Sequence, residues 1–259
     1  MNAVSALLGD ATHFALVLSR IAGFVVVSPF PGQGVGAKQR VGLAIGMSFL
    51  ASSLPLGPER SLPPFGLPLA GDVAIEIACG IVIGVAFRFV FSAAEVLGTM
   101  LGLATGMGTP SLFNPALESQ ETPVGRAITL LAMLVALGVG AHRVAISALL
   151  DSFRTVPIGT ASIFDASLMT IVDLGTDAFV VGVRLSMPVV AVGLIVHLAL
   201  AVISRAAPSL QIFSVGFGLL VAATMLTLMA CLGDLAAGLG AHFGRLGPSL
   251  EGILEAIHR

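Results

Sequence analysis

Two apolar segments of this chain have a length that suits neither one membrane crossing nor two. Leu69 to Thr105 and Leu168 to Ser204 each run about 37 residues, or about 55 Å of straight helix, against a hydrocarbon core about 30 Å thick. Two crossings need about 40 residues before any turn is counted. Charges sharpen the problem. Asp72, Glu76, Arg88 and Glu95 fall in the first segment, and Asp173, Asp177 and Arg184 in the second. Each costs about 2.5–3.5 kcal/mol at a bilayer centre. Helices of this kind need protein or water on at least one face.

The rest of the sequence excludes the ordinary ways of meeting that need. Of 259 residues, 56% are hydrophobic, 31 are glycine, and only 10% are charged, against roughly 25% charged in soluble domains. A free soluble monomer could not cover its surface with so few charges. The net charge is -2, and the 12 basic residues are scattered singly, so nucleic-acid binding is excluded as well. In a six-segment arrangement the lysines and arginines nearly tie between the two sides, so they set no orientation. Arg20 is the first basic residue; the charged start of a cleaved secretory signal is missing, and the N-terminus is expected to be retained.

Apolar segments run over Ala11–Phe30, Val41–Leu54, Leu69–Thr105, Val124–Leu150, Leu168–Ser204 and Leu210–Leu232. Prolines and glycines separate them: Pro29 to Gly34, Pro55 to Pro68, Pro110 to Pro123, Pro157 and Pro208. The expected fold is all-α and a single domain over residues 1–259, with long kinked helices and helical hairpins. Gly42 with Gly46, Gly80 with Gly84, Gly98 with Gly102 and Gly106, and Gly240 with Gly244 are four apart. That spacing lets helix backbones approach closely. From residue 234 the pattern changes. Leu235, Leu239, Phe243, Leu246, Leu250, Ile253 and Ile257 recur every three or four residues, which predicts an amphipathic tail over 234–259, broken at Gly247–Pro248 and lying at an interface or against a partner.

No catalytic constellation stands out. Gly32 to Gln39 imitates a phosphate loop, but Ala37 precedes Lys38 and Gln39 replaces the metal-binding hydroxyl. Ser48 lacks the glycine setting of a serine nucleophile. His142 and His197 have no ligand companion at helical spacing, and Cys79 and Cys231 read as buried apolar side chains. No cofactor and no enzymatic activity are expected. Arg88 and Glu95, seven apart, read as a structural pair. Asp173, Asp177 and Arg184 share one helical face, which leaves open a proton-coupled secondary transporter as the alternative.

The long polar feature is Gly106 to Pro123, G-M-G-T-P-S-L-F-N-P-A-L-E-S-Q-E-T-P. Loops of this length are usually functional or disordered. Met107, Leu112, Phe113 and Leu117, constrained by prolines, suit a movable stopper as well as a plain linker.

Five further strings carry a family resemblance: Arg20 with S-P-F-P-G at Ser28–Gly32, R-V-G-L-A at Arg40–Ala44, P-V-G-R at Pro123–Arg126, D-S-F-R-T-V-P-I-G at Asp151–Gly159, and I-S-R-A-A-P-S-L-Q-I-F-S-V-G-F at Ile203–Phe217. Over nearly its whole length the chain resembles the FliR/SctT export-gate family of type III secretion. Asn114 stands where flagellar members usually have aspartate, His197 where asparagine is common, and Gly218 where proline often follows.

The resemblance implies a core subunit of an export gate in the bacterial inner membrane, within a flagellar or injectisome basal body. FliP-like and FliQ-like subunits would complete a helical, cone-shaped channel. An FlhB/SctU-like switch protein, an FlhA/SctV-like export component, membrane lipid and unfolded secreted proteins are the other implied partners. It also implies that the loop at about 106–123 plugs the closed channel. The plug residues would be Met107, Thr109, Pro110, Ser111, Leu112, Phe113, Asn114, Pro115 and Leu117, with Leu112 and Phe113 sealing. Arg20, Arg126, Arg154, Arg205, Pro208, Phe213 and Gly216 are the expected structural or partner contacts, with Arg126, Arg154 and Arg205 fixing helix ends and subunit contacts by holding carbonyls or carboxylates through their planar donors.

Overall fold

The computed structural model describes residues 2–29, 36–53, 67–107, 122–159, 165–206 and 212–258. Every regular element among them is a helix: α1 (Asn2–Val27), α2 (Ala37–Ser52), α3 (Leu67–Ala104), α4 (Pro123–Val139), α5 (Ala141–Thr155), α6 (Asp165–Ala206), α7 (Ile212–Phe243) and α8 (Leu246–His258). The two overlong segments are single helices of 38 and 42 residues. Pro188 lies inside the longer one, where it removes one ladder hydrogen bond.

Two boundaries differ from the sequence reading. The apolar run Val124–Leu150 is two helices, because Gly140 adopts a left-handed φ of 80° between α4 and α5. A glycine in an apolar run gives no sign of its φ, so the break is silent in the sequence. The tail breaks at Gly244–Arg245 rather than at Gly247–Pro248. Pro248 sits in the first turn of α8, where a missing amide proton and a fixed φ are tolerated.

The chain divides into two compact units. The first comprises Met1–Val90, Gly140–Gly175 and Arg245–Arg259. It holds α1, α2, the start of α3, α5, the start of α6, and α8. Its core joins Leu16, Val17, Ile21 and Phe24 of α1 to Ile83, Ala86 and Phe87 of α3, and Leu149 and Phe153 of α5. Phe24 and Phe87 stack with ring centroids 6.2 Å apart. Helix α8 lies against α5, and its Leu246, Leu250, Ile253 and Ile257 are all buried. The apolar stripe of the tail is therefore satisfied within this chain rather than kept for a partner. Leu250→Ala is expected to cost about 2–5 kcal/mol, read as a lowered thermal midpoint of the detergent-solubilised protein.

The second unit comprises Phe91–Val139 and Thr176–Gly244. Val124, Ile128, Ala132 and Ala136 form one buried stripe of α4. Val135 and Val139 of α4 lie where a Cβ on Gly240 of α7 would be in van der Waals contact with them. Leu235, Leu239 and Phe243 complete the core, with the Phe243 ring 4.9 Å from that of Phe91.

Among the described residues, three stretches are long and apolar enough to cross a membrane: Leu69–Ala104, Met169–Ala206 and Gly216–Glu255. Counting α4 with α5 as one broken crossing makes four. In the first, half of the most apolar window is buried within the chain; in the other two only 17% is. Apolar side chains such as Leu194, Ile195, Leu198 and Val202 of α6, and Leu226 and Met229 of α7, are therefore left outward. In water such surface would be untenable; lipid or further protein must cover it.

Candidate functional site

In the first unit, polar groups from α1, α3 and α5 converge on Arg20. It lies on the buried face of α1, and its side chain is completely enclosed, as is that of Glu76 on α3. Its Nε donates to Glu76 Oε2 at 2.5 Å. Nη1 donates to the carbonyls of Ser152 at 2.9 Å and Val156 at 3.0 Å, at the C-terminal end of α5. The guanidinium carbon sits 4.4 Å from the centroid of the Phe153 ring, close enough for a cation–π contribution. The other carboxylate oxygen of Glu76 accepts from the amide of Gly159 at 2.9 Å. One ion pair thus ties α1 and α3 to the last carbonyls of α5 and to the V-P-I-G segment that follows it. A cation at a helix C-terminus is also favoured by the helix dipole.

Glycines make this reach possible. A Cβ on Gly80 would overlap the backbone carbonyl of Arg20, and one on Gly23 would overlap that of Ile77. Helices α1 and α3 therefore cross at backbone contact. Arg40 likewise holds a helix end, since its Nη1 donates to the carbonyls of Val26 at 3.1 Å and Val25 at 3.4 Å, near the close of α1.

In the second unit, the long loop leaves and returns at one place. Helix α3 ends where Thr105, fully buried, donates its hydroxyl to the Gly102 carbonyl at 3.0 Å. The amide of Gly106 then donates to Leu103 at 3.0 Å with φ at +72°, the left-handed turn that ends many helices. The returning chain begins α4 with Thr122 and Pro123. Thr122 Oγ1 accepts from the Gly125 amide at 3.0 Å, a side-chain N-cap with proline in the first helical position. Thr122 itself rests on Gly102, and Gly125 on Gly98.

The sequence-derived residues fall as follows. Met107 is half-buried at the exit from α3. Thr109, Pro110, Ser111, Leu112, Phe113, Asn114, Pro115, Leu117 and Pro208 lie outside the described residues, and so does the side chain of Phe213 on α7. Gly216 is buried. Arg20 is buried. The other arginines differ: Arg126, Arg154 and Arg205 are exposed, and Arg154 meets Asp151, on its own helix, at 3.5 Å. Among the described residues, Arg20 and Arg40 hold helix-end carbonyls, while these three face outward. Arg88 is exposed too. Asp173, Asp177 and Arg184 are each exposed on α6. His197 is exposed, its Nδ1 2.8 Å from the Gly193 carbonyl one turn earlier.

Glu76, Ser152 and Thr122 were not singled out by sequence. The signal for Glu76 was indirect: a lone arginine on an apolar helix needs a carboxylate, and α3 offers more than one. Thr122 had a local signal, since T-P before an apolar run is a helix start.

Comparison with known proteins supplies the identity that geometry alone does not. Residues 11–246 match the family described as bacterial export proteins, family 1. The flagellar biosynthetic protein FliR of Escherichia coli strain K12 is 31% identical over 222 residues, 85% of this chain and 84% of its own length. FliR of Pectobacterium carotovorum is 29% identical over 81% of this chain and 80% of its own. FliR of Aquifex aeolicus is 27% identical over 86% of each. With most of its length matched and an all-helical structure carrying several membrane-length apolar helices, the chain belongs to the bacterial export proteins, family 1, as a membrane component of the flagellar export apparatus.

Proposed function

We propose that this chain is a core subunit of the export gate in the bacterial inner membrane, forming part of the protein-conducting channel and closing it with a plug made of residues 106–123. The observation that carries the reading is the fixed base of that segment. Thr105 and Gly106 cap α3, Thr122 caps α4, and the two ends meet at Gly102. Fifteen or so residues, rich in proline and apolar side chains, thus depart from and return to one rigid point. Leu112 and Phe113 are the side chains proposed to exclude water from the closed channel. Unfolded substrate would push them aside.

The outward apolar faces of α6 and α7 are proposed to be covered by FliP-like and FliQ-like subunits and by lipid. Exposed Arg126, Arg154 and Arg205 are proposed contacts to those subunits, along with Pro208, Phe213 and Gly216. An FlhB/SctU-like switch protein and an FlhA/SctV-like component complete the proposed surroundings. The chain performs no catalysis in this reading.

Deleting Thr109–Glu121 tests it. The assembled apparatus is expected to leak ions, measured as collapse of membrane potential in cells expressing the variant. An intact complex that stays ion-tight would overturn the plug; loss of the complex would assign the segment to assembly instead. Asp173→Asn with Asp177→Asn should leave secretion unchanged, and its abolition would revive proton-coupled transport.

A further inference from the structure

The apolar outer surface of this chain stops at two places, and a charged surface begins at each. On α4, Leu130, Leu134, Leu137 and Val139 stand exposed. Past Gly140 the exposed positions of α5 are Arg143, Ser147, Asp151 and Arg154, whose spacing of three or four puts them in one stripe. On α7, Leu226, Met229 and Leu232 are exposed. Asp234 follows, and beyond Gly244 the outward side chains are Arg245, Pro248, Glu251 and Glu255. Among the described residues no large apolar side chain of α5 or α8 is exposed. The apolar sides of these two helices are used on protein: α8 lies against α5, and a Cβ on Gly247 would stand 3.6 Å from the Val144 side chain.

We propose that α5 and α8 form a water-facing pair outside the hydrocarbon of the membrane, so that α4 and α5 are not one broken crossing. Each helix of the pair is apolar where it meets protein and ionisable where it faces outward, the pattern of a helix at a water boundary. If the pair crossed the bilayer, Arg143, Asp151 and Arg154, and with them Arg245, Glu251 and Glu255, would stand against lipid, where ionised side chains are strongly disfavoured. Length points the same way. Helix α5 has 15 residues and α8 has 13, about 20 Å each, against a hydrocarbon core about 30 Å thick. The candidate crossing that runs from α7 on into α8 shortens accordingly. From Ile212 to Leu232, α7 offers about 20 residues and about 30 Å, which fits one core without α8. Arg154 closes the α5 stripe about 10 Å along the helix from Ser147, so a polar subunit contact there leaves the middle of the face in water.

Ser147→Cys and Gly252→Cys test the proposal, with Leu134→Cys and Leu226→Cys as the apolar references. Ser147 is exposed, and a Cβ at Gly252 meets nothing within 4 Å. Membranes carrying the assembled apparatus are opened by freeze–thaw and treated with a sulfonated maleimide, which is too polar to enter lipid. Labelling of the parent chain through Cys79 and Cys231 is subtracted. The reactive species is the thiolate, which forms in water and not in hydrocarbon. Both Ser147→Cys and Gly252→Cys are expected to label about fivefold or more faster than either reference. A smaller margin at either position overturns the proposal. Labelling that appears only after detergent strips away the other subunits also overturns it, and assigns the face to a protein contact instead. Should either variant fail to accumulate, Glu255→Cys takes its place under the same criterion.

Discussion

Arg20→Ala is expected to cost about 3–5 kcal/mol, the usual loss when one member of a buried ion pair is removed. Glu76 would keep its carboxylate in a fully enclosed place with the Gly159 amide as its remaining donor among the described contacts. The Val156 carbonyl would lose the Arg20 donor as well, and the Ser152 carbonyl would be left with the Val156 amide. Domains of this kind have about 5–15 kcal/mol in total, so the variant should be scarce in assembled apparatus and unfold at markedly lower temperature. Glu76→Ala should behave alike. The informative variant is the double one, Arg20→Met with Glu76→Leu. Buried pairs replaced by apolar groups of similar size are often neutral or better, so the double substitution should lose less than the two single ones summed. Strict additivity in thermal unfolding would show that the two side chains do not act as a pair.

A second large effect is expected one helix turn away. Gly80→Val places a branched side chain where the Arg20 backbone carbonyl already lies. Backbone cannot swing aside as a flexible side chain would, so α1 and α3 must separate. Gly84 shows the same limit, with a Cβ falling 2.9 Å from the Phe24 carbonyl oxygen. Separation would also pull Arg20 from Glu76, joining the packing loss to an electrostatic one, and the variant should fail to accumulate on immunoblots of membranes. Gly252→Ala is the matched control: its added methyl meets nothing within 4 Å, and alanine favours helix by up to about 1 kcal/mol. Equal accumulation of the Gly80 variant and the control would sink the argument.

These two cases mark where sequence reading succeeds and where it stops. The helices were legible because long apolar runs bounded by proline and glycine leave the backbone little else to do. The stripe from Leu235 to Ile257 was legible for the same reason, since periodicity reports which face is buried. What covers that face was not legible: α8 docks on α5, about a hundred residues earlier. Arg20 stood out as the first basic residue and for its place beside S-P-F-P-G. Its partners lie 56 and 132 residues away, and no local rule links such distances. Glycine spacing was informative in part. Gly80, Gly84, Gly98 and Gly102 do admit another backbone or side chain closely, but a Cβ added at Gly42 or Gly46 would meet nothing within 4 Å among the described residues. Spacing states that an approach is permitted, not that it happens within one polypeptide. The outward-facing Arg126 and Arg205 teach the same lesson from the other side, because an arginine motif does not say whether its carbonyls are its own.

The arrangement of the first unit bears on how the protein is made. Its helices come from both early and late parts of the chain, with α8 supplying Leu250 and Ile253 to a core begun by Leu16 and Ile21. The second unit needs nothing beyond Gly244. During translation, then, α1, α3 and α5 must wait for their last partner until α8 has left the ribosome. A nascent chain stalled before Leu246 would hold the second unit's segments complete and the first unit open, exposed to the quality-control proteases that survey unfinished membrane proteins.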